Sequence, residues 1–144
     1  MAELCKISRI SHYLPLRSET KKYQRRKVTV TKPLFPGYLF ANITPATRLT
    51  LLKSNNLLRT IDTNDPRTLV RELVYVRRAL RITPDLETAP ALTAGTKVRV
   101  KRGPLAGVEG VVTCIRAKTR VMINVDMVGQ AVIVEARGSD LELS

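Results

Sequence analysis

The sequence lacks tryptophan and is poor in the residues from which most catalytic and metal sites are built. Its 144 residues include one histidine and two cysteines. His12 has no carboxylate or second ligand nearby, and Cys5 and Cys114 are too widely separated for a CxxC metal motif. No nucleophile–base pair, carboxylate pair or phosphate-binding glycine loop can be assembled from the remaining residues. We therefore predict no cofactor, no metal and no enzymatic activity.

Long apolar runs are also missing, which excludes a transmembrane helix and the apolar core of a signal peptide. Two cysteines far apart in sequence are typical of reduced thiols in a cytosolic protein. We therefore expect a cytoplasmic, monomeric protein that does not bind membranes.

Acidic residues are few, and the resulting positive charge is unevenly distributed. Twelve Asp and Glu stand against 25 Lys and Arg, a net charge of +13, which points to a polyanionic partner such as a nucleic acid. Residues 1–44 hold nine of the basic residues and two of the acidic ones. Residues 19–27 predict a basic hairpin tip between a strand over 12–17 and a strand over 28–30. Its predicted nucleic-acid contacts are Lys21, Lys22, Arg25, Arg26 and Lys27.

Two interpretations of this basic segment remain open. A run of charges is often only a solvated loop. The interleaved Tyr23 instead favours contact with nucleic acid, since cations would bind phosphates while the ring stacks on a base. Phosphate contacts of this kind position a protein without reading sequence.

Aromatic residues are scarce, yet both phenylalanines and one of four tyrosines fall within residues 35–40. Pro33 and Pro36 predict a stiff, non-helical lead-in, and Gly37 permits a bend. Residues 38–43 then predict a strand, with Tyr38 and Phe40 on one face and the aliphatic residues 39, 41 and 43 on the other. The pattern fits an ordinary core strand, or a rigid aromatic platform that binds a partner.

The rest of the chain predicts the remainder of a first domain, a linker and a second domain. Thr44 and Pro45 begin a short helix, residues 57–61 predict a strand, and the apolar stripe of residues 67–82 predicts a long helix. Residues 84–92 contain two prolines and no periodicity, which is typical of a linker. Short β-branched segments follow, so we predict domains at 1–83 and 93–144, the second a small all-β barrel.

A second motif lies at the start of this β region. A strand ending near Lys101 runs into Gly103-Pro104-Leu105-Ala106-Gly107-Val108-Glu109-Gly110 and then into another β-branched strand. Glycines at such positions allow positive φ or close approach of strands. The segment resembles the KOW motif of SH3-like barrels, which occurs in transcription elongation factors and in ribosomal proteins.

Together, the segment Leu34-Phe35-Pro36-Gly37-Tyr38-Leu39-Phe40 and the KOW-like motif resemble the NusG family, in particular its specialised RfaH and UpxY paralogues. The resemblance implies an α+β chain: a ferredoxin-like NGN domain with an antiparallel sheet and helices, a linker, and a C-terminal SH3-like KOW barrel. Family members normally begin with a Trp-Tyr-containing strand ahead of the position of Met1. We therefore expect an NGN domain that is N-terminally truncated.

The resemblance also implies a function, that of a transcription elongation or antitermination factor. The NGN domain would bind the clamp helices of RNA polymerase and lie close to upstream or non-template DNA. Its polymerase-binding residues would be Phe35, Pro36, Tyr38 and Phe40. The KOW domain would recruit Rho or a small-subunit ribosomal protein, and its partner face would comprise Gly103, Leu105, Gly107, Gly110 and Val128. The alternative is a KOW-type ribosomal or other RNA-binding protein, which the positive charge fits equally well.

Overall fold

The chain folds into an N-terminal half of helices and short strands and a C-terminal half built from one sheet. The structure, a computed structural model, describes residues 1–92, 94–115 and 118–144. The N-terminal elements are α1 Ala2–Ile7, β1 His12–Tyr13, β2 Leu16–Tyr23, β3 Arg26–Pro33, β4 Phe40–Ala41, α2 Pro45–Lys53 and α3 Pro66–Ile82. The C-terminal strands are β5 Glu87–Pro90, β6 Thr96–Val100, β7 Glu109–Ile115, β8 Lys118–Val125, β9 Gln130–Glu135 and β10 Leu141–Leu143.

The α+β class predicted from the sequence is confirmed, and the described strands of the N-terminal half form two sheets of two strands each. β1 pairs antiparallel with β4, so that Tyr13 lies opposite Phe40. The predicted strand over 38–43 shortens to two residues because the amide of Tyr38 donates to the carbonyl of Phe35 in a turn, 3.1 Å away. The two faces of this segment nevertheless separate as predicted. Leu39 and Ile43 pack around Cys5, Ile10 and Leu51, whereas Tyr38 and Phe40 pack into a different cluster.

Helix boundaries follow the capping residues. Thr44 caps α2 and forms a reciprocal capping box with Thr47, and Pro45 is the first helical residue. Asp65 caps α3 by accepting from the amide of Thr68. The predicted helix over 67–82 is therefore confirmed to within a residue.

The strand predicted over residues 57–61 is wrong. The segment is irregular and Leu58 is fully exposed. Among the described residues no strand pairs with it, and an apolar run becomes a strand only where a neighbour accepts its backbone hydrogen bonds.

The hairpin formed by β2 and β3 is longer than predicted. Residues 19–27 were expected to form its tip, but β2 continues to Tyr23 and β3 starts at Arg26. Only Gln24 and Arg25 form the turn, with φ of 40° and 72°, the left-handed values that a tight two-residue hairpin requires. The predicted strand over 12–17 is interrupted at Pro15, which has no amide to donate and whose carbonyl accepts from Leu34.

The C-terminal half is one antiparallel sheet of six strands in the order β10-β6-β7-β8-β9-β5. The segment interpreted as a linker, 84–92, is part of this half in the structure. Residues Glu87–Pro90 pair with β9, Leu86 is buried, and the Asn124 side chain exchanges hydrogen bonds with the backbone of Leu92. Periodicity could not reveal β5, because a four-residue strand containing a proline carries almost no pattern.

The main apolar core is shared between the two halves. One contiguous cluster joins Leu34, Phe35, Val76 and Ala79 of the N-terminal half to valines and Ile123 of the sheet. Removing apolar surface from water is the dominant favourable term in folding, so this shared core holds α3 against the sheet.

Gly110 is predicted to be required for the fold of the sheet. A methyl group at this position would lie 2.6 Å from the carbonyl oxygen of Met122 and 2.6 Å from a methyl group of Val121. We expect Gly110→Ala to lower the free energy of unfolding by about 2–3 kcal/mol, measured by urea denaturation. Gly138→Ala is the matched control, since no atom lies within 4 Å of its new methyl group. Equal stability of the two variants would contradict the close approach of β7 and β8.

Candidate functional site

The predicted aromatic platform lies beside the core that the two halves share. Phe35 is only 1% exposed and meets Phe40 edge-to-face, with ring centroids 6.3 Å apart and planes at 83°. Phe35 was expected among the polymerase-binding residues, but it is a core residue against which the ring of Phe40 packs. Pro36 is exposed, whereas Tyr38 and Phe40 are half-buried and pack against the shared cluster. The surface that a partner could reach is thus formed by Pro36, Tyr38 and Phe40.

Two polar contacts across the shared core involve residues that the sequence analysis missed. The guanidinium of Arg78, on α3, donates to the backbone carbonyls of Pro104 and Ala106, both at 2.9 Å. The amide of Asp126 donates to the carboxylate of Glu72, also on α3, at 3.4 Å. Arg78 is one of five arginines in residues 67–81, and no pattern in the sequence distinguishes it from the others. Glu72 lies beside the apolar stripe of α3, three residues after Leu69 and four before Val76, which was the available signal for its burial.

The predicted partner face of the C-terminal half lies at the same junction. Leu105 and Val128 pack against the shared cluster to which Tyr38 and Phe40 belong. Gly103 and Gly107 adopt positive φ, 86° and 90°, in the turn whose carbonyls bind Arg78. Gly110 differs, because it lies within β7 where β8 approaches closely. Residues of both predicted binding faces therefore border the shared cluster.

Glu72 is electrostatically unusual. Burial and, next, the nearby charge of Asp126 raise the pKa of its carboxyl group from 4.5 to about 7, although the hydrogen bond from the Asp126 amide and the charge of Arg71 partly oppose the shift. The protonated form of Glu72 is therefore the one that fits best between α3 and the sheet.

The predicted nucleic-acid contacts all lie on the arm formed by β2 and β3. Lys22 and Lys27 are opposite each other in the ladder, as are Tyr23 and Arg26, and Arg25 is in the turn. Lys21 lies 3.9 Å from Glu19, which also pairs with Arg17 at 2.6 Å. Lys21 is thus partly neutralised, whereas the cations nearer the tip are exposed.

The described part of the chain contains no group of three or more His, Cys, Asp or Glu side chains positioned to hold a metal ion. None of the helices described combines the length and apolar content that a membrane span requires.

Comparison with known families identifies the N-terminal half. A family model described as "Transcription termination factor nusG" matches residues 1–79, more than half of the chain. The chain belongs to the NusG family. It is therefore a transcription-associated factor, and the aromatic segment and the arm both lie within the matched residues. A search of curated proteins gives no match.

The stability of this NusG-family chain should depend on pH through Glu72. Because its pKa is raised in the folded chain, its contribution is full below pH 4.5 and is lost as pH rises through about 7. Relative to Glu72→Gln, which cannot ionise, we expect the wild type to lose about 1 kcal/mol of unfolding free energy between pH 5 and pH 8, allowing for solvent screening. Urea denaturation across this range measures the difference. If the unfolding free energies of the wild type and Glu72→Gln change with pH in parallel, the raised pKa of Glu72 is refuted.

Proposed function

We propose that this NusG-family chain is a transcription elongation and antitermination factor that binds RNA polymerase through its aromatic face. Phe40 and Tyr38 would contact the clamp helices of the polymerase, with Pro36 at the margin and Phe35 supporting Phe40 from below. The observation that carries the proposal is a pair of half-buried aromatic rings on a domain assigned to the NusG family. Aromatic anchors of this kind contribute strongly to protein interfaces.

The proposed mechanism is a shift of population. A factor that binds the elongating polymerase more tightly than the paused polymerase favours elongation by that difference in affinity, and by nothing more. Holding the clamp closed across the nucleic acid would provide the difference. The exposed cations of the arm would then face upstream or non-template DNA, adding an attraction that weakens with salt.

The proposed NGN-like domain comprises residues 1–83 and the proposed KOW domain residues 93–144, and the segment 84–92 between them adds strand β5 to the C-terminal sheet. The KOW domain would recruit a further factor, such as Rho or a small-subunit ribosomal protein, through Leu105, Val128 and the adjacent glycine turn. These residues pack against the same cluster as Tyr38 and Phe40, so the C-terminal half would cover part of the aromatic face when the halves are docked. Binding of polymerase would therefore require the halves to separate.

The alternative function, a KOW-type ribosomal or RNA-binding protein, rests on the +13 net charge. It assigns no role to the aromatic face. Salt-dependent binding to isolated ribosomal RNA, without affinity for polymerase, would favour it.

Replacement of the aromatic pair tests the proposal. We expect Tyr38→Ala combined with Phe40→Ala to weaken binding to RNA polymerase elongation complexes at least about tenfold, because two anchors are lost. Quantitative pull-down measures the affinity, and circular dichroism checks that the variant is folded.

The control is Val70→Ala, on the exposed side of α3, which should bind like the wild type. Undiminished binding by a folded double variant would rule out the aromatic face as the polymerase contact.

Weakening the contact between the halves should have the opposite effect. Leu105→Ala removes apolar contact with the shared cluster but leaves the aromatic face intact. We expect the affinity for polymerase to rise several-fold, because less free energy is needed to expose that face.

The same pull-down measures this gain, and Leu143→Ala serves as the control because Leu143 is 80% exposed. An affinity that Leu105→Ala leaves unchanged or lowers would contradict the covering of the aromatic face by the C-terminal half.

A further inference from the structure

Helix α3 has a second patterned face besides the one that packs against the C-terminal sheet. Residues three, four and seven positions apart share a face of a helix. On the side away from Val76 and Ala79, these spacings join two valines and four arginines, all of them exposed. The six residues are Arg67, Val70, Arg71, Val74, Arg77 and Arg81. We call this the valine–arginine face.

The two valines lie along the middle of this face. Val70 and Val74 are one turn apart, and they are 59% and 47% exposed. Among the described residues, neither belongs to a cluster of buried apolar side chains. Branched side chains also lose rotamer freedom in a helix, so exposed valines do not help α3 to form. A partner that covered them would remove their apolar surface from water.

The four arginines of this face have no carboxylate within 4.0 Å in the part of the chain that the structure describes. The one acidic residue of α3, Glu72, lies toward the sheet and accepts a hydrogen bond from the amide of Asp126. Arg78 differs from these four, because its guanidinium donates to two backbone carbonyls of the sheet half. The valine–arginine face is therefore positively charged, and its donors are available to a partner.

We propose that the valine–arginine face binds an acidic amphipathic helix of a partner protein. Apolar side chains of that helix would cover Val70 and Val74, and its Asp and Glu side chains would lie beside the flanking arginines. A guanidinium binds a carboxylate through two parallel hydrogen bonds. The 17 residues of α3 span about 25 Å, enough for a partner helix to lie along it.

The chemistry of the face argues against three other occupants. A second copy of this chain would be repelled, because each copy has a net charge of +13. A nucleic-acid backbone would meet apolar valines where its phosphates need hydrogen-bond donors. A helix that lies in a membrane surface presents a wide apolar side with large residues such as Trp, Phe and Leu, whereas this face has only two valines.

The probe for the test is a fluorescent synthetic peptide of three heptads, with leucine at the a and d positions and glutamate at the e and g positions. A matched peptide keeps every glutamate but has glutamine in place of each leucine. Fluorescence anisotropy measures the affinity of each peptide for the full chain. We expect the leucine peptide to bind at least about tenfold more tightly than the glutamine peptide, because only the first can cover the valines.

Variants of the full chain locate the binding. We expect about a fivefold loss of affinity for the leucine peptide in Val70→Ala with Val74→Ala, and a similar loss in Arg71→Gln with Arg77→Gln. Arg9→Gln with Lys53→Gln is the control of equal charge, since both residues are exposed and lie outside α3. It should lose less than about twofold, and circular dichroism checks that each variant is folded.

Four results would overturn the proposal. The leucine peptide could fail to bind the wild type, or bind no better than the glutamine peptide. The valine variant could bind it like the wild type, which would show that the middle of the face is not covered. The arginine variant and the control could lose equally, which would show that only total charge matters.

Other occupants are tested with the same valine variant. Its affinity for oligothymidylate and for phosphatidylserine vesicles should equal that of the wild type, and sedimentation should show the same oligomeric state. A change in any of these, with no binding of the leucine peptide to the wild type, would assign the face to that occupant and overturn the proposal.

This inference is independent of the proposed function, because the valine–arginine face shares no residue with the aromatic face. The valine variant should bind RNA polymerase elongation complexes like the wild type. If it binds them more weakly, the face contacts the polymerase itself and the separate partner is refuted. If the wild type does not bind polymerase but the peptide results hold, the proposed function fails and this inference stands.

Discussion

The packing of α3 against the C-terminal sheet is the contact on which the rest of the structure depends. Val76 and Ala79 are buried in the cluster that both halves share, and Arg78 fixes the glycine turn through two carbonyl oxygens. Phe35 is buried in the same cluster, and Tyr38 and Phe40 pack against it. The aromatic face therefore borders the interface between the two halves.

This interface differs in kind from the arm. The shared core is apolar and gains from exclusion of water, with the protonated form of Glu72 favoured at its margin. The arm projects exposed cations and hydroxyls and buries little, so it contributes little to stability and is suited to a polyanion whose attraction varies with salt. We infer that the apolar contact between the two halves can open and close, whereas the basic arm is always exposed to solvent.

Local signals predicted much of the fold and part of the site. A capping residue placed α2, the apolar stripe placed α3, and alternation separated Leu39 and Ile43 from Tyr38 and Phe40. Tertiary contacts decided the rest. Among the residues that the structure describes, no strand pairs with the run over 57–61, whereas residues 87–90 pair with β9. Phe35 is buried because it packs in the cluster shared by α3 and the sheet. No local pattern reports which surfaces will meet, so neither Arg78 nor Glu72 could be recognised beforehand.

The most direct test of this account is photo-crosslinking from position 40, with a photoreactive phenylalanine analogue in place of Phe40. In the free chain we predict crosslinks within the chain, because Phe40 packs against the shared cluster. When RNA polymerase is added, the crosslinks should transfer to the polymerase. A complex in which position 40 still crosslinks only within the chain would contradict the claim that the aromatic face is the polymerase contact.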